Sequence, residues 1–422
     1  MTSLVRPGAE TRLFTRCAEV ERLAALAAVL LVFLRIDLPL AHLDVTILGV
    51  VALAPVWLGS LSRYEGARIL VVACAAALSA GLVLALVYSP VRNTNTAEAI
   101  QTSIELASFV GTMGVVLWAR THVPAHQVAL VAGIGMLVTV SHSSGLYASN
   151  PWRFGYSIPV TIVVLAIAWW IGSRWFEIVC LLTLALVSGM NDARSNFAML
   201  LLAAILLGWR MRAESASRRA SWLPMAMLVG TVAWSVYHLV QTLILDGYLG
   251  QVTQQRSAEQ IDASGSLIVG GRPELAAAVA LIRDHPGGFG LGAIPRLDEI
   301  LTAKAAMASI NYDPDNGYVE RYMFGDHFEL HSVFGDLWAS LGVAGLVLVA
   351  ILVALSVKGM ALSLRTGHGL SAIVIYLAIR ALWGIAFSPF AAAATLIALF
   401  LGLVLVDRRS HEHQSASNGG TT

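Results

Sequence analysis

The stretch GDHFELHSVFGDLWASLGVAGLVLVAILVAL, Gly325 to Leu355, decides the class of fold. Its second half is almost entirely apolar, and a helix needs about 20 such residues to cross a bilayer. Its first seven residues carry two acids and two histidines, Asp326, His327, Glu329 and His331. The stretch therefore predicts a membrane helix that has ionisable side chains at its mouth.

The composition of the whole chain indicates the same class of protein. Of its 422 residues, 57% are hydrophobic and only 13% are charged, and the mean hydropathy is +0.73. Soluble domains average about 45–50% apolar and about 25% charged residues. The formal net charge of +1 gives no basic excess that would attract nucleic acid. We therefore expect an all-α polytopic integral membrane protein that lies in the lipid bilayer and has no nucleic-acid partner.

Apolar runs that are candidates for membrane spans recur along the chain. They lie at 22–39, 43–61, 67–88, 102–119, 126–143, 157–172, 174–190, 196–209, 222–245, 331–357, 370–386 and 390–406. The sequence therefore predicts about 12 transmembrane helices. Nine of them belong to residues 22–245 and three to residues 331–406.

The arginines and lysines indicate which side of the membrane each connection faces. Four arginines, Arg6, Arg12, Arg16 and Arg22, precede the first apolar run, and no small-residue cleavage site follows it. We therefore expect residues 1–21 to be a cytoplasmic N-terminal tail and the first helix to be retained. The inner segments then hold most of the cations. The short outer connections hold only four, Arg35, Arg92, Arg153 and Arg194. The low-complexity tail 407–422 returns to the cytoplasm and is expected to be disordered.

Residues 246–330 form one connection that is unlike the others, because they are mostly polar and long. This topology places them on the outer side, where a long loop usually has a function. After Pro273, the sequences ELAAAVALIRD and LDEILTAKAAMASI each predict a short helix, and Ser257 with Gln260 suggests a capping box. We expect these helices to cover the mouth of the membrane domain as a cap.

Neither cysteine chemistry nor a calcium loop is expected. Cys17, Cys74 and Cys180 lie in the N-terminal tail and in two apolar segments, so no disulfide framework is predicted outside. The DPDNG sequence contains Asp-x-Asp, but an EF-hand would need Gly and Glu where Tyr318 and Phe324 stand. We therefore predict a turn at this point, and neither this loop nor the cysteines predict a metal or other cofactor.

Several arginines on the outer side could converge on an anion. The alternative for each is that it contacts lipid headgroups. A guanidinium suits phosphate because its planar donors bind two oxygens without losing charge. The loop adds Gly271-Arg272, in which Arg272 precedes a helix N-terminus that also favours anions. The GGFGLG run follows no strand, so it predicts a tight loop beside a ligand or a neighbouring helix instead of a dinucleotide site.

His327 and His331 are four residues apart, so we expect them to share one helix face. Three interpretations stay open. The histidines could form ion pairs at the helix end, hold a metal with Glu329, or provide a general base or proton relay. Glu329 would lie off the shared face and the sequence is HFELH, not HExxH, which argues against a metal. The ligand that best suits arginines, a cap and a histidine together is a lipid-linked phosphate or diphosphate.

Three short motifs resemble the O-antigen ligase and O-antigen polymerase superfamily. Ser188-Gly189 to Arg194-Ser195 is similar to the family's outer arginine motif. Gly271-Arg272, followed by a helix and HPGGFGLG, is similar to its loop motif, and His331-Ser332 followed by SLGVAGL to its histidine motif. The likeness covers roughly residues 145–355. The chain departs from the family at Ala193, often serine, at Ser340, often an acid, and in lacking an aromatic residue after Gly-Arg.

The resemblance implies a GT-C-like, metal-independent, inverting glycosyltransferase on the periplasmic face of a bacterial inner membrane. Its donor would be a glycan on undecaprenyl diphosphate, and its acceptor a lipid-linked saccharide such as the lipid A core. Arg194 and Arg272 would stabilise the diphosphate as leaving group, and His331 would orient or deprotonate the acceptor hydroxyl. Substrate contacts would come from a further set, Arg153, Arg92, His327 and Gly271.

Other functions remain open at this point. A ligase and a polymerase need the same leaving-group chemistry, although the 85-residue loop before the His331 span favours a ligase. A protein O-oligosaccharyltransferase is a third member of the same class. A transporter or flippase for a lipid-linked anion belongs to another class and should carry ionisable groups near the middle of the membrane. Only Arg380 lies clearly deep within a predicted span, so the sequence favours chemistry at the surface.

Overall fold

The computed structural model describes residues 7–36, 44–215, 222–247, 250–264, 271–315, 317–366 and 371–408. Regular structure in these ranges is helical, and the only β-type pairs within them are two isolated bridges. The α-helices in chain order are α1 (Pro7–Phe33), α2 (Val45–Ala52), α3 (Ala54–Ser60), α4 (Ala67–Tyr88), α5 (Thr96–Ala119), α6 (Ala125–Val138), α7 (Gly145–Ser149), α8 (Ser157–Ile171), α9 (Arg174–Met190), α10 (Arg194–Ser215), α11 (Trp222–Leu245), α12 (Gln251–Ser264), α13 (Glu274–Asp284), α14 (Leu297–Ala308), α15 (Val333–Thr366), α16 (Ala372–Phe387) and α17 (Phe390–Val404).

The helices follow the apolar runs of the sequence. Each predicted run contains one helix, except that 43–61 holds the bent pair α2 and α3. Within the described ranges, four helical segments are long and apolar enough to cross a membrane: Ala67–Tyr88, Thr96–Ala119, Trp152–Ile171 and Val333–Leu364. The bent pair, broken by 70°, makes five if it is one span. The described ranges are therefore helical with four or five candidate spans, which fits an α-helical membrane protein, but the predicted number of about 12 spans is not confirmed.

The remaining apolar helices are too short to count as spans by themselves. α6, α16 and α17 have 14, 16 and 15 residues. At 1.5 Å per residue each is about 21–24 Å long, whereas the hydrocarbon core is about 30 Å thick. Nearly every residue of α16 and α17 is buried or half-buried by protein, so these helices pack inside the bundle.

Two buried hydrogen bonds link three helices of the bundle near the start of α10. Tyr376 on α16 donates a hydrogen bond of 2.7 Å to Asn196 on α10, and Asn196 donates one of 3.1 Å to Ser188 on α9. All three residues are buried. Because buried polar groups need hydrogen-bond partners, these two bonds fix the position of the start of α10 relative to α16.

The predicted outer cap is helical and has an apolar core of its own. α13 and α14 confirm the two predicted helices and pack against each other through Ala278, Leu281 and Met307. The predicted capping box at Ser257 is wrong, because α12 begins six residues earlier, at Gln251. Ser257 lies inside that helix, and its hydroxyl group bonds to Arg194.

The glycine-rich loop after α13 joins the cap to two membrane helices by main-chain contacts. Phe289 N and Gly290 N donate to the carbonyl of Ala339 on α15, and Leu291 N donates to Gly81 on α4. A Cβ atom at Gly290, whose φ is +99°, would lie 2.6 Å from the backbone nitrogen of Ala85. The loop therefore packs tightly against neighbouring helices. Of the two predicted roles, contact with a ligand or with a helix, this is the second.

The segment that carries the two histidines is not helical. α15 begins at Val333, and His331 has a φ of +52°. The prediction that His327 and His331 share a helix face is therefore wrong. The carboxylate of Asp336 explains the shape of this segment, because it accepts hydrogen bonds from Leu330 N at 2.7 Å and Phe390 N at 2.8 Å. These two bonds from one carboxylate hold the residues just before α15 in a non-helical path.

Candidate anion-binding cavity

A cavity of about 820 Å³ lies between the membrane helices and the cap. Its charged lining consists of four arginines and two acids, Arg153, Asp192, Arg194, Arg272, Glu274 and Arg380. Its apolar lining includes Ala198, Met199, Leu202, Val240, Ile244, Ile379 and Trp383, from α10, α11 and α16. The wall thus has an excess of two positive charges when both acids are ionised, next to a large apolar surface.

Asp192 holds two of the arginines in place. It stands in the tight turn between α9 and α10 with a φ of +49°. One of its oxygens lies 2.7 Å from an Nη atom of Arg153, and the other lies 3.4 Å from Nε of Arg194. Arg194 also donates a hydrogen bond of 2.6 Å to Ser257 on α12. One carboxylate therefore orients two guanidinium groups at the start of α10, and Ser257 brings the cap to the same point.

Arg272 enters the cavity from the cap. It precedes Pro273, which caps α13, so its guanidinium stands near a helix N-terminus that also attracts anions. The side chain is half-buried, and within the described ranges it has no hydrogen bond or ion pair to protein. Burial raises the pKa of the nearby Tyr318 phenol, and the charge of Arg272 opposes only a small part of that rise. Arg272 thus offers its donors to the cavity and not to a protein carboxylate.

Arg380 adds a fourth cation that the sequence analysis did not assign to the site. It lies in the middle of α16, where an Nη atom is 3.8 Å from Sδ of Met199. Among the residues described, no carboxylate pairs with it. Met199 is five residues along α10 from Arg194, or about 7.5 Å at the helical rise. A charged side chain inside a membrane domain is a functional candidate, and this rule could have identified Arg380.

Glu274 and Tyr318 form the cap side of the cavity wall. Glu274 is 6% exposed, and Tyr318 donates a hydrogen bond to its Oε1 atom. Among the described residues, no donor reaches the Oε2 atom of Glu274. Burial, and after it the Glu274 carboxylate, raises the pKa of Tyr318 well above its ordinary range. Tyr318 therefore stays protonated and keeps the carboxylate in one orientation.

The predicted site residues fall into two groups. The cavity brings together Arg153, Arg194, Gly271 and Arg272. His331 is not part of the wall, since its ring centroid lies 5.8 Å from that of Tyr318, which does line the cavity. His331 therefore neighbours a residue of the wall without lining the cavity itself.

Arg92 lies elsewhere, at the junction between the cap and the membrane domain. It forms an ion pair with Glu299 on α14, donates a hydrogen bond of 2.9 Å to Ile294 O, and stacks over the ring of Phe289. The side chains of Arg92 and Glu299 are 7% and 1% exposed. The structure thus gives Arg92 a buried partner in the protein, and Arg92 does not line the cavity.

His327 also lies outside the cavity wall. Its ring forms a hydrogen bond of 2.8 Å with Asp326, and Glu329 and Glu98 stand at 3.7 and 4.0 Å. Hydrogen bonding to Glu329, with Asp326 and Glu98, raises the pKa of His327 from 6.5 to about 9 against the opposing effect of burial. His327 is therefore an ion-pair centre at the base of the cap, which was the first of its three predicted roles.

We expect the stability of the cap to depend on pH through His327. Its raised pKa means that the folded protein binds the proton more tightly than the unfolded chain. The stabilisation is complete below about pH 6.5 and is lost as the pH rises through about 9. Thermal unfolding of the protein in nanodiscs at pH 6 and pH 10, compared with His327→Gln, measures it. The wild type should exceed the variant at pH 6 and match it at pH 10; an equal gap at both values contradicts the assignment.

The carboxylates and histidines of the described ranges form no group of three or more that is arranged to hold a metal ion. The prediction that no metal takes part therefore stays a prediction. No protein-family model matches the chain, and no curated protein matches it. The function must accordingly be argued from the chemistry of the cavity.

Proposed function

We propose that this protein is an O-antigen ligase-like membrane glycosyltransferase. It transfers a glycan from undecaprenyl diphosphate to a hydroxyl group of a lipid-linked saccharide, such as the lipid A core. The reaction takes place on the periplasmic face of a bacterial inner membrane, in a GT-C-like fold. The observation that carries the proposal is the lining of the cavity, where four guanidinium groups face two carboxylates. The excess of two positive charges equals the two negative charges of a diphosphate diester.

The change of lining along α10 supports an amphiphilic ligand. Arg194 and Asn196 begin the helix, and Ala198, Met199 and Leu202 follow one to two turns further on. The same helix therefore offers polar groups to a diphosphate and apolar groups to a polyprenyl chain. A soluble sugar nucleotide would leave that apolar wall in contact with water, which is unfavourable.

The arginines would act on the bond that breaks. As the acceptor hydroxyl attacks the anomeric carbon, the bond between that carbon and the phosphate oxygen breaks, and its electron pair leaves with the diphosphate. Arg194 and Arg272 stabilise the growing negative charge, while Arg153 is held near them by Asp192. A single displacement inverts the anomeric carbon. The guanidinium groups supply the charge stabilisation that a divalent metal supplies in other transferases.

A polymerase would use the same donor and the same cavity, so the two activities are separated in cells. The size profile of the surface glycan is measured in cells that lack the protein, and the polyprenyl-linked pool is extracted beside it. Loss of surface polymer, with long chains accumulating on the lipid carrier, is the result expected for a ligase. A surface that carries only single repeat units indicates a polymerase. An unchanged surface and an unchanged carrier pool contradict both.

Arg380 favours a second candidate of another class, a transporter or flippase for a lipid-linked anion. Its position in the middle of α16, facing the cavity, is what a path for an anion through the bundle would need. For the glycosyltransferase, the same arginine is a deep contact for the lipid diphosphate. The two functions give different results in an assay without compartments.

Replacing Arg380 by methionine tests both functions. In detergent or nanodiscs, Arg380→Met should raise the KM for the undecaprenyl diphosphate donor by about 10- to 100-fold, because a hydrogen bond to a charged group contributes about 1.5–3 kcal/mol. Lys358→Met is the matched control, since it removes an exposed cation that pairs with Glu65. If the wild type shows no transfer but moves the labelled donor across sealed vesicles, and Arg380→Met stops that movement, the transporter is correct.

A further inference from the structure

The two carboxylates of the cavity are used in different ways. Both oxygens of Asp192 face arginines, at 2.7 and 3.4 Å. Glu274 faces no arginine at ion-pair distance among the described residues, and accepts a hydrogen bond from Tyr318 on Oε1 only. Asp192 therefore orients two arginines. Glu274, in contrast, has one carboxylate oxygen that forms no hydrogen bond within the described part of the protein.

Among the buried side-chain N and O atoms of the described residues that have no hydrogen-bond partner, Oε2 of Glu274 is the one on the cavity wall. The residue is 94% buried, as its exposed fraction is 6%, and Oε2 has no hydrogen-bond partner in the described part of the chain. A buried polar atom without a partner costs about 1–3 kcal/mol, and more if charged. Native proteins keep few such atoms, and those that remain often have a chemical role. On a cavity wall, the missing partner is most simply a hydroxyl group of a ligand.

The position of Glu274 suits a group that receives a proton. It is the first residue of α13, where the helix N-terminus stabilises a carboxylate. Arg272 lies two residues earlier and lines the same cavity. A diphosphate bound by Arg272 would thus have Glu274 beside it on the same short segment. The acceptor must enter near this segment, because its hydroxyl attacks the carbon attached to that diphosphate.

His331 is worse placed for this role. Its Nδ1 atom lies 3.2 Å from the carbonyl oxygen of Glu329, and its Nε2 atom lies 3.7 Å from the side chain of the same residue. Tyr318 lines the cavity and His331 does not, although the centroids of their rings are only 5.8 Å apart. His331 is therefore next to a residue of the cavity wall and is not part of that wall.

We propose that Glu274, and not His331, takes the proton of the acceptor hydroxyl; this inference rests on the proposed glycosyl transfer. The acceptor O–H bond breaks, and its proton goes to Oε2 of Glu274. The acceptor oxygen forms the new bond to the anomeric carbon, and the electron pair of the old bond leaves with the diphosphate. Tyr318 keeps the carboxylate oriented through its hydrogen bond to Oε1, and His331 is a positioning residue behind Tyr318.

The test compares Glu274→Gln with His331→Asn in nanodiscs. The donor is an undecaprenyl diphosphate oligosaccharide and the acceptor is a lipid A core saccharide. Glu274→Gln should lower kcat by about 10²- to 10⁴-fold, the usual contribution of a general base, with the donor KM within about 3-fold of wild type. Glu274→Gln should also remove the acidic limb of the pH profile, which is the fall of kcat at low pH. His331→Asn should keep that limb. Glu320→Gln, an exposed cap carboxylate paired with Lys304, is the matched control and should be unchanged.

The results separate this inference from the proposed function. If Glu274→Gln keeps the kcat and the acidic limb of an active wild type, the assignment of Glu274 is wrong and the transfer activity stands. If His331→Asn removes the limb instead, His331 is the base. A wild type that neither binds nor consumes the donor overturns the proposed function and the inference with it. Should Glu274→Gln fail to fold, Tyr318→Phe replaces it; an unchanged kcat and an unshifted acidic limb in that variant contradict the pairing of Tyr318 with the base.

Discussion

Arg272→Lys is expected to lower kcat by about 10²- to 10³-fold while the protein stays folded, because removing one preorganised donor from a developing oxyanion has an effect of that size. Lysine keeps the positive charge but cannot hold two phosphate oxygens in one plane. The Arg272 side chain makes no hydrogen bond to protein in the described ranges, so its loss should leave the melting temperature near the wild-type value. Initial rates with the lipid-linked donor measure the effect.

Arg283→Lys is the matched control for this change. Arg283 lies on the same helix, α13, but is exposed at its other end. The same substitution there should leave both kcat and KM unchanged. Full activity of Arg272→Lys would show that the role of this residue is not two-oxygen binding of a diphosphate. A lower melting temperature together with lower activity would show that Arg272 supports the fold.

Arg92→Met is expected to have the opposite pattern, a large loss of stability with little change in donor KM. The substitution leaves the carboxylate of Glu299, which is 1% exposed, without its cation. Breaking a buried ion pair by removing one partner costs about 3–5 kcal/mol. Thermal unfolding in nanodiscs and limited proteolysis of the cap measure this loss, and the donor KM is taken at a temperature where the variant is folded.

A double replacement provides the control for the buried pair. Arg92→Met combined with Glu299→Leu removes both charges, and exchange of a buried pair for apolar groups is often neutral or stabilising. The double variant should therefore regain most of the stability that Arg92→Met loses. If Arg92→Met is as stable as the wild type but has a raised donor KM, Arg92 binds substrate, as its place in a short outer connection suggested.

The helices could be predicted because their cause is local. Long apolar runs and a proline before a helical pattern are visible in any short window, and each predicted run contains a helix. The segment before α15 could not be predicted in the same way. Its non-helical path depends on Asp336, which accepts hydrogen bonds from Leu330 N and from Phe390 N; Phe390 is 54 residues away in the sequence. The four-residue spacing of the two histidines cannot reveal a hydrogen bond to a residue so distant in the sequence.

The site could be predicted in part, for a related reason. A cation on the outer side is unusual, and this rule identified Arg153, Arg194 and Arg92 together. It could not separate them, because the partner of Arg92 lies 207 residues away, at Glu299. Glu274 escaped notice because an acid in the first turn of a helix is ordinary. Only its unpaired buried oxygen distinguishes it, and that is a property of the folded chain.

The contacts of the glycine-rich loop with α4 and α15 determine when the cavity can form during synthesis. The loop forms a hydrogen bond with Gly81 of α4. The ion pair of Arg92 can form only after Glu299 has been synthesised, 207 residues later. The Ala339 carbonyl that receives the loop belongs to a helix made later still. Because contacts so distant in sequence form late, the cap closes over the arginines only when α15 has been inserted. A chain whose synthesis has not reached α15 would therefore lack the finished cavity and, under the proposed function, could not yet use the lipid-linked donor.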